Sequence, residues 1–213
     1  STGTLTSGTY QIIADSDGNI WTIQFRADRL IKISPSDNII SEYKIPSSNT
    51  FAETLASDKY GNIWFIERDT HTLGFFNSSK PEPIQVVFDT KNFQVNKHSD
   101  STTTMKVKSD QQAFFLARGN MRVTGILDNF DVTFSPSRME KTDSFSDIQV
   151  NMDSHRALEN GIYYLTIGAS TMDLAYYRGT FIEINVIDSF SDPVFLAAII
   201  LSIVSAVVIW RKK

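Results

Sequence analysis

Cysteine is absent from the 213 residues, which excludes both a disulfide framework and a thiolate metal site. The compartment stays open on this ground, because an oxidising exterior permits disulfides without requiring them. Histidine is scarce as well. His71, His98 and His155 lie far apart with no i, i+4 pair, so they read as isolated surface residues rather than a zinc site. Excess positive charge is also missing. Net charge is −4, and removing Arg211, Lys212 and Lys213 leaves −7 for everything before them. Phosphate binding needs a basic face, so nucleic acid is excluded as an expected partner. No G-x-S-x-G elbow and no phosphate-binding loop is present, which leaves nucleophilic and phosphoryl chemistry without a motif. No basic-then-apolar leader opens the chain at Ser1-Thr2-Gly3-Thr4. Either a leader was cleaved or these residues continue a longer chain, and the repeats below favour the second.

What is present begins at the far end. Val194 to Trp210 carries no charge, and only Ser202 and Ser205 interrupt the apolar run. As a helix with Pro193 it would cover roughly 25–27 Å against about 30 Å of hydrocarbon. Trp210 at the interface, with Arg211, Lys212 and Lys213 snorkelling, would close the difference. A soluble core has no use for three adjacent cations at a helix end, so residues 193–210 are expected to cross a bilayer. The positive-inside tendency then places 211–213 in the cytoplasm and the acidic remainder outside. No LPXTG-type motif precedes the run.

Two segments near the start repeat at a fixed offset. Asp15-Ser16-Asp17-Gly18-Asn19-Ile20-Trp21 matches Asp58-Lys59-Tyr60-Gly61-Asn62-Ile63-Trp64, and Leu30 matches Leu73, each pair 43 residues apart. That period, with Gly and Trp at fixed places, is the mark of a β-propeller blade. Ile12-Ile13-Ala14 reads as a strand, Asp17-Gly18-Asn19 as a tight hairpin and Ile20 to Phe25 as an alternating strand. Leu30 to Ile33 makes a third strand, Pro35 to Asn38 a turn, and Ile40 to Ile45 an outer strand ended by Pro46.

The run Asp58-x-x-Gly61-Asn62-Ile63-Trp64-Phe65-x-Glu67, with the Ser41-Glu42-Tyr43-x-Ile45-Pro46 edge, resembles the blades of the virginiamycin B lyase (streptogramin lyase) family over residues 9–88. The resemblance implies blades of a seven-bladed ring. In that family the ring cleaves the ester linkage of a cyclic antibiotic with a histidine, glutamates and a magnesium ion. It makes Glu67 and His71 the candidate catalytic residues and magnesium the candidate cofactor; outside it no cofactor is expected. The first repeat departs from the pattern with Thr22 and Gln24 where the second has Phe65 and Glu67. Two blades cannot close a ring, since an open pair leaves a free sheet edge and an unburied face. Residues 1–88 are therefore expected to be the end of a longer propeller, a pair completed by self-association, or a blade-like sheet packed on the next domain.

After Lys80-Pro81-Glu82-Pro83 the repeat stops, and residues 89–188 hold short alternating runs. Met105 and Val107 share one face. So do Ile148, Val150 and Met152, then Tyr163, Leu165 and Ile167, and finally Ile182, Ile184 and Val186. Ala113 to Ala117 is apolar, Arg122 to Leu127 reads as a further strand, and Asp131 to Phe134 follows. Without a helical period, these predict an antiparallel β-sandwich. Leu158-Glu159-Asn160-Gly161-Ile162-Tyr163 resembles the tyrosine corner of immunoglobulin-like sandwiches, and Gly179 to Val186 resembles the last strand of such modules in microbial surface proteins. Residues 189–192 are a short polar linker to the helix.

Asp15, Asp17 and Asn19 miss the spacing of a calcium loop and read as a hairpin turn. Trp21, Trp64 and Phe65, locked to the repeat, are expected between blades rather than on a sugar-stacking platform. Asn77-Ser78-Ser79 is a glycosylation sequon on an outward turn, which makes Asn77 a candidate for modification. The fold expected is an all-β ectodomain, two propeller blades plus an immunoglobulin-like sandwich, with one C-terminal transmembrane helix. The function expected is a non-enzymatic, membrane-anchored binding or scaffold protein of a prokaryotic envelope, archaeal or Gram-positive. Its partners would be the lipid bilayer and other envelope proteins. The alternatives are a metal-dependent lyase-like enzyme and an accessory single-pass subunit of a membrane complex.

Overall fold

The computed structural model describes residues 8–24, 27–90, 92–96, 100–119, 130–154 and 159–187, and every regular element among them is a β-strand. No helix among the described residues is long and apolar enough to cross a membrane. Residues 193–213, with the expected span and its anchor Trp210, Arg211, Lys212 and Lys213, lie outside the described residues, as do His98, His155 and the expected strand over Arg122–Leu127.

The first repeat is a four-stranded antiparallel meander: β1 (Thr9–Ala14), β2 (Ile20–Gln24), β3 (Arg29–Ser34) and β4 (Ile39–Lys44). The second has three strands: β5 (Ala52–Ser57), β6 (Ile63–Glu67) and β7 (Thr72–Phe76). One carboxylate organises each opening hairpin. Asp15 accepts from the backbone N–H groups of Asp17 (3.0 Å) and Asn19 (2.9 Å) through Oδ1, and from the Trp21 indole (2.7 Å) through Oδ2. Asp58 repeats the set with Tyr60, Asn62 and Trp64, the last at 3.2 Å. Gly18 and Gly61 both take φ near +81°, a left-handed value that side chains with a Cβ rarely hold. The turn is therefore a fixed device that aims a tryptophan, which explains why Asp, Gly and Trp recur together.

The repeats pack face to face. Trp21, Ile23, Leu30 and Ile45 of the first meet Ala52, Leu55, Ile63 and Phe65 of the second in one buried cluster. The alternation expected for β2 does not make it a half-exposed strand. Trp21 and Ile23 are buried against the second repeat, and Thr22 and Gln24 are buried on the opposite face. The Thr22 departure has a packing partner. The Phe65 ring lies over Gly74, where any Cβ would collide with it, whereas in the first repeat the smaller Thr22 faces Ile31.

The remaining strands are β8 (Ile84–Phe88), β9 (Asn92–Asn96), β10 (Asp100–Ser109), β11 (Ala113–Gly119), β12 (Phe130–Ser135), β13 (Arg138–Met139), β14 (Thr142–Ser154), β15 (Gly161–Thr171) and β16 (Tyr176–Ile187). Strands β12, β14, β10 and β8 form one sheet. Its inward residues, among them Ile84, Val86, Met105, Val107, Ile148, Val150 and Met152, share a core with Leu165, Ile167, Ile182, Ile184 and Val186 of β15 and β16. Ile84 and Val86 apart, these are alternating residues the sequence marks, and all are 3% exposed or less. The Tyr163 hydroxyl donates to the Glu159 carbonyl at 2.9 Å, the tie-back expected of a tyrosine corner.

Two pairings fall elsewhere than the sequence places them. The strand Ile84–Phe88, which falls inside the 1–88 span expected to be blades, hydrogen-bonds β10 and not a strand of the second repeat. The expected outer strand β4 is not an outer edge. It pairs antiparallel with the first half of β16, Tyr43 opposite Tyr176 and Ser41 opposite Arg178, while the second half of β16 takes β9 in parallel. The first repeat thus continues into β16, β15, β11 and β13 as one nine-stranded open sheet.

Candidate functional site

Beside the β4–β16 pairing a cleft of about 590 Å³ opens, lined by residues of both repeats and of the segment leading into β8. Its walls are Tyr43, Tyr176, Phe65 and Phe76, its shoulders Pro46, Pro81 and Pro83, and its rim carries Lys44, Lys80 and Asp110. The aromatic rings are mutually packed: Tyr43 and Phe76 lie 4.4 Å apart between centroids, Tyr43 and Tyr176 5.1 Å, and Trp21 and Phe76 5.5 Å. The volume and the apolar lining with few polar groups are those of a small-molecule or peptide-segment site.

A polar shoulder fixes this wall. The Tyr43 hydroxyl donates to Glu82 Oε1 at 2.8 Å, and the same carboxylate pairs with Arg178 and, at 3.7 Å, with Lys32. Burial pushes the Tyr43 hydroxyl up to about 12 and raises Tyr176 further still, so both are neutral donors at any physiological pH. Burial likewise lowers the Arg178 guanidinium from its usual value, and its Nε finds no hydrogen-bond partner among the described residues. A smaller recess of about 200 Å³ adjoins, lined by Lys32, Asp37, Ser41, Ser78, Glu82 and Arg178.

The opposite face of the nine-stranded sheet carries a second polar group. Glu42 pairs with Arg118 and, at 3.7 Å, with Arg29, and the Arg118 guanidinium lies 3.9 Å from the Tyr177 ring centroid. Tyr177 is 1% exposed, burial holds its hydroxyl up at about 12, and that hydroxyl has no hydrogen-bond partner among the described residues.

Glu67 is buried at the end of β6, and its Oε2 accepts from the Thr70 and Thr72 hydroxyls at 2.9 and 3.1 Å. His71 sits exposed in the following turn at φ 54°. The carboxylate is thus engaged in closing its own hairpin. Among the described residues no group of three or more His, Asp or Glu side chains could hold a metal ion, so the donor set of a magnesium site is not gathered around Glu67. Asn77 is exposed in the turn after β7, its Oδ1 accepting from Ser79 N–H at 2.9 Å. Trp21 and Phe65 lie between the repeats, whereas Trp64 lies on the free face of the second. Sequence reasoning missed the cleft because Tyr43 and Tyr176 meet only through the β4–β16 pairing. The edge motif containing Tyr43 was visible; its partner was not.

No protein-family model matches the chain. No curated protein matches it either. Among solved structures, an adhesin, SrpA (R347E mutant) from Streptococcus sanguinis, is similar at 8% identity and a TM-score of 0.40, covering 53% of this chain and 61% of that one. A virginiamycin B lyase from Staphylococcus aureus is similar at 14% identity and a TM-score of 0.30, covering 85% and 56%. The BIgI domain of the beta protein of S. agalactiae, solved bound to CEACAM1, is similar at 16% and 0.31, covering 49% and 97%. The chain thus spans about three-fifths of the adhesin and just over half of the lyase. Similarity at this level assigns no family.

Proposed function

We propose that the protein is a binding or scaffold protein of the cell surface, held by residues 193–210 in the membrane with 211–213 in the cytoplasm. In this reading residues 1–88 are propeller-type blades that engage a ligand or partner, and an immunoglobulin-like sandwich spaces them from the bilayer. The observation that carries the binding role is the aromatic cleft at the β4–β16 junction, whose rings are mutually packed and whose Tyr43 hydroxyl is held by Glu82. A preformed apolar site binds without paying for its own ordering. Glu67 and Glu82 are both engaged by hydroxyls or cations, which supports a structural role for the two carboxylates.

The test uses anilinonaphthalene sulfonate, an aromatic anion suited to apolar walls rimmed by Lys44 and Lys80. The intact chain is expected to bind it saturably. The variant Ala175→Trp, which fills the cleft from its lining, is expected to lose that binding with its melting temperature preserved. Equal binding by the two proteins would remove the cleft as the ligand site.

A further inference from the structure

The internal repeat shows what one face of the molecule is built to meet. Within the chain, Trp21, Ile23 and Leu30 of the first repeat pack on Leu55, Ile63 and Phe65 of the second. Moving each of the first three by the repeat offset gives Trp64, Ile66 and Leu73. The first set is at most 1% exposed; in the second set Ile66 is 49% and Leu73 66% exposed, and their neighbour Phe75 is 51% exposed. Register places Trp64 opposite Phe75 and Ile66 opposite Leu73, so the four side chains form one contiguous apolar face on β6 and β7. The Trp64 and Phe75 rings lie 4.7 Å apart. Exposed apolar surface of this extent marks a contact site.

The surface complementary to it is also in the chain. The residues that cover Trp21, namely Leu55, Ile63 and Phe65, correspond in the first repeat to Ile12, Ile20 and Thr22. Ile12 is 67% exposed and lies opposite Thr22 on the same face of β1 and β2. Ile20 and Ile33, paired across β2 and β3, extend that face and are only partly buried. Among the described residues the chain therefore makes one repeat-to-repeat junction internally and leaves part of the next open on each side of the repeat pair: the Trp64–Ile66–Leu73–Phe75 face on one, and Ile12 with the Ile20–Ile33 pair around the buried Thr22 and Ile31 on the other.

We infer that a second copy of this chain docks head to tail, seating the Ile12–Ile20–Ile33 face of its first repeat on the Trp64–Ile66–Leu73–Phe75 face of this one. The contact is heterologous, so it propagates to a ring where the rotation closes and to a filament where it does not. Phe75 also lines the cleft, so the contact would border the cleft at that edge.

Native mass measurement of the full chain in mild detergent is expected to show assemblies of more than one copy. The double variant Leu73→Glu, Phe75→Glu is expected to give single chains. Because the chain has no cysteine, two single-cysteine variants report the geometry directly. Ile12→Cys mixed with Leu73→Cys and treated with a short bis-maleimide should give a covalent dimer that neither variant gives alone. This pair keeps the proposal testable where the glutamate variant fails to fold, and it separates the contact from association through residues 193–210. Single chains throughout would overturn the proposal. Equal product from Leu73→Cys alone would also overturn it, by showing a two-fold contact of like faces.

Discussion

Asp15 and Asp58 carry more of the repeat than their exposure suggests. Burial raises the Asp15 carboxyl, but the Trp21 indole, the Asn19 amide and the turn N–H groups outweigh it and hold it below the usual carboxylate value. The Asn62 and Trp64 side chains and the backbone do the same for Asp58. A depressed folded-state value stabilises the fold above the unfolded carboxylate range near ~4, and that contribution is lost as pH falls through the folded value. Urea midpoints measured from neutral pH downward are therefore expected to drop below about pH 4, and less steeply in Asp15→Asn and Asp58→Asn. Asp15→Ala is expected to cost about 1 kcal/mol at neutral pH, a charge-assisted bond largely screened by solvent. The tyrosines give the opposite limit. Tyr43 and Tyr177 are raised from 10 to about 12 by burial, so their contribution is whole below pH 10 and is lost as pH rises toward about 12. Tyrosinate absorbance followed with circular dichroism should show these two ionising together with unfolding. Tyr177→Phe removes a buried hydroxyl without a hydrogen-bond partner among the described residues and is expected to be neutral or stabilising by up to about 1 kcal/mol. None of this was visible in sequence: the Asp–Trp spacing was, the indole bond that explains it was not.

At the scale of elements, strand β16 does the joining. Its Gly179 lies opposite Gly168 of β15, and a Cβ on either residue would collide, at Gly168 with the backbone of Arg178 and at Gly179 with the Tyr177 side chain. The two glycines let β15 and β16 approach closely enough for Tyr177 to lie flat beneath Arg118. Gly168→Ala is expected to destabilise by about 2–3 kcal/mol, read as a shifted urea midpoint, because the atom it meets is backbone and cannot swing away. Local pattern made most strands legible: Met105 and Val107, Ile148 to Met152, and Ile182 to Val186 alternate with period two and face the core as read. Pairing between distant strands was not legible. Tyr43 and Tyr176 are separated by most of the chain, and nothing in the composition of β4 distinguishes an edge strand from one that finds β16. The same limit explains Ile84–Phe88. Its alternation fixes a strand and a buried face, and the partner, β10 rather than β7, is set by packing elsewhere.

Across the whole molecule, the β4–β16 ladder determines where the cleft lies and whether it is preformed. Glu42 on β4, with Arg118 on β11 and Arg29 on β3, clamps the same junction from the other face, its side chain 9% exposed. Glu42→Gln leaves two partly buried guanidinium groups without their carboxylate and is expected to cost about 2–4 kcal/mol, affecting both repeats and core together. That cooperativity separates one continuous sheet from two tethered domains. Backbone hydrogen exchange on the full chain measures it site by site. The Lys44 and Phe181 N–H groups, which donate to Ala175 and Asn38 at 2.8 and 2.9 Å across the junction, are expected to exchange as slowly as the Ile167 and Ile182 amides of the core strands, by opening of the whole fold. Fast exchange throughout β3 and β4 while β15 and the second half of β16 stay protected would contradict the account, because the cleft would then open with the first repeat.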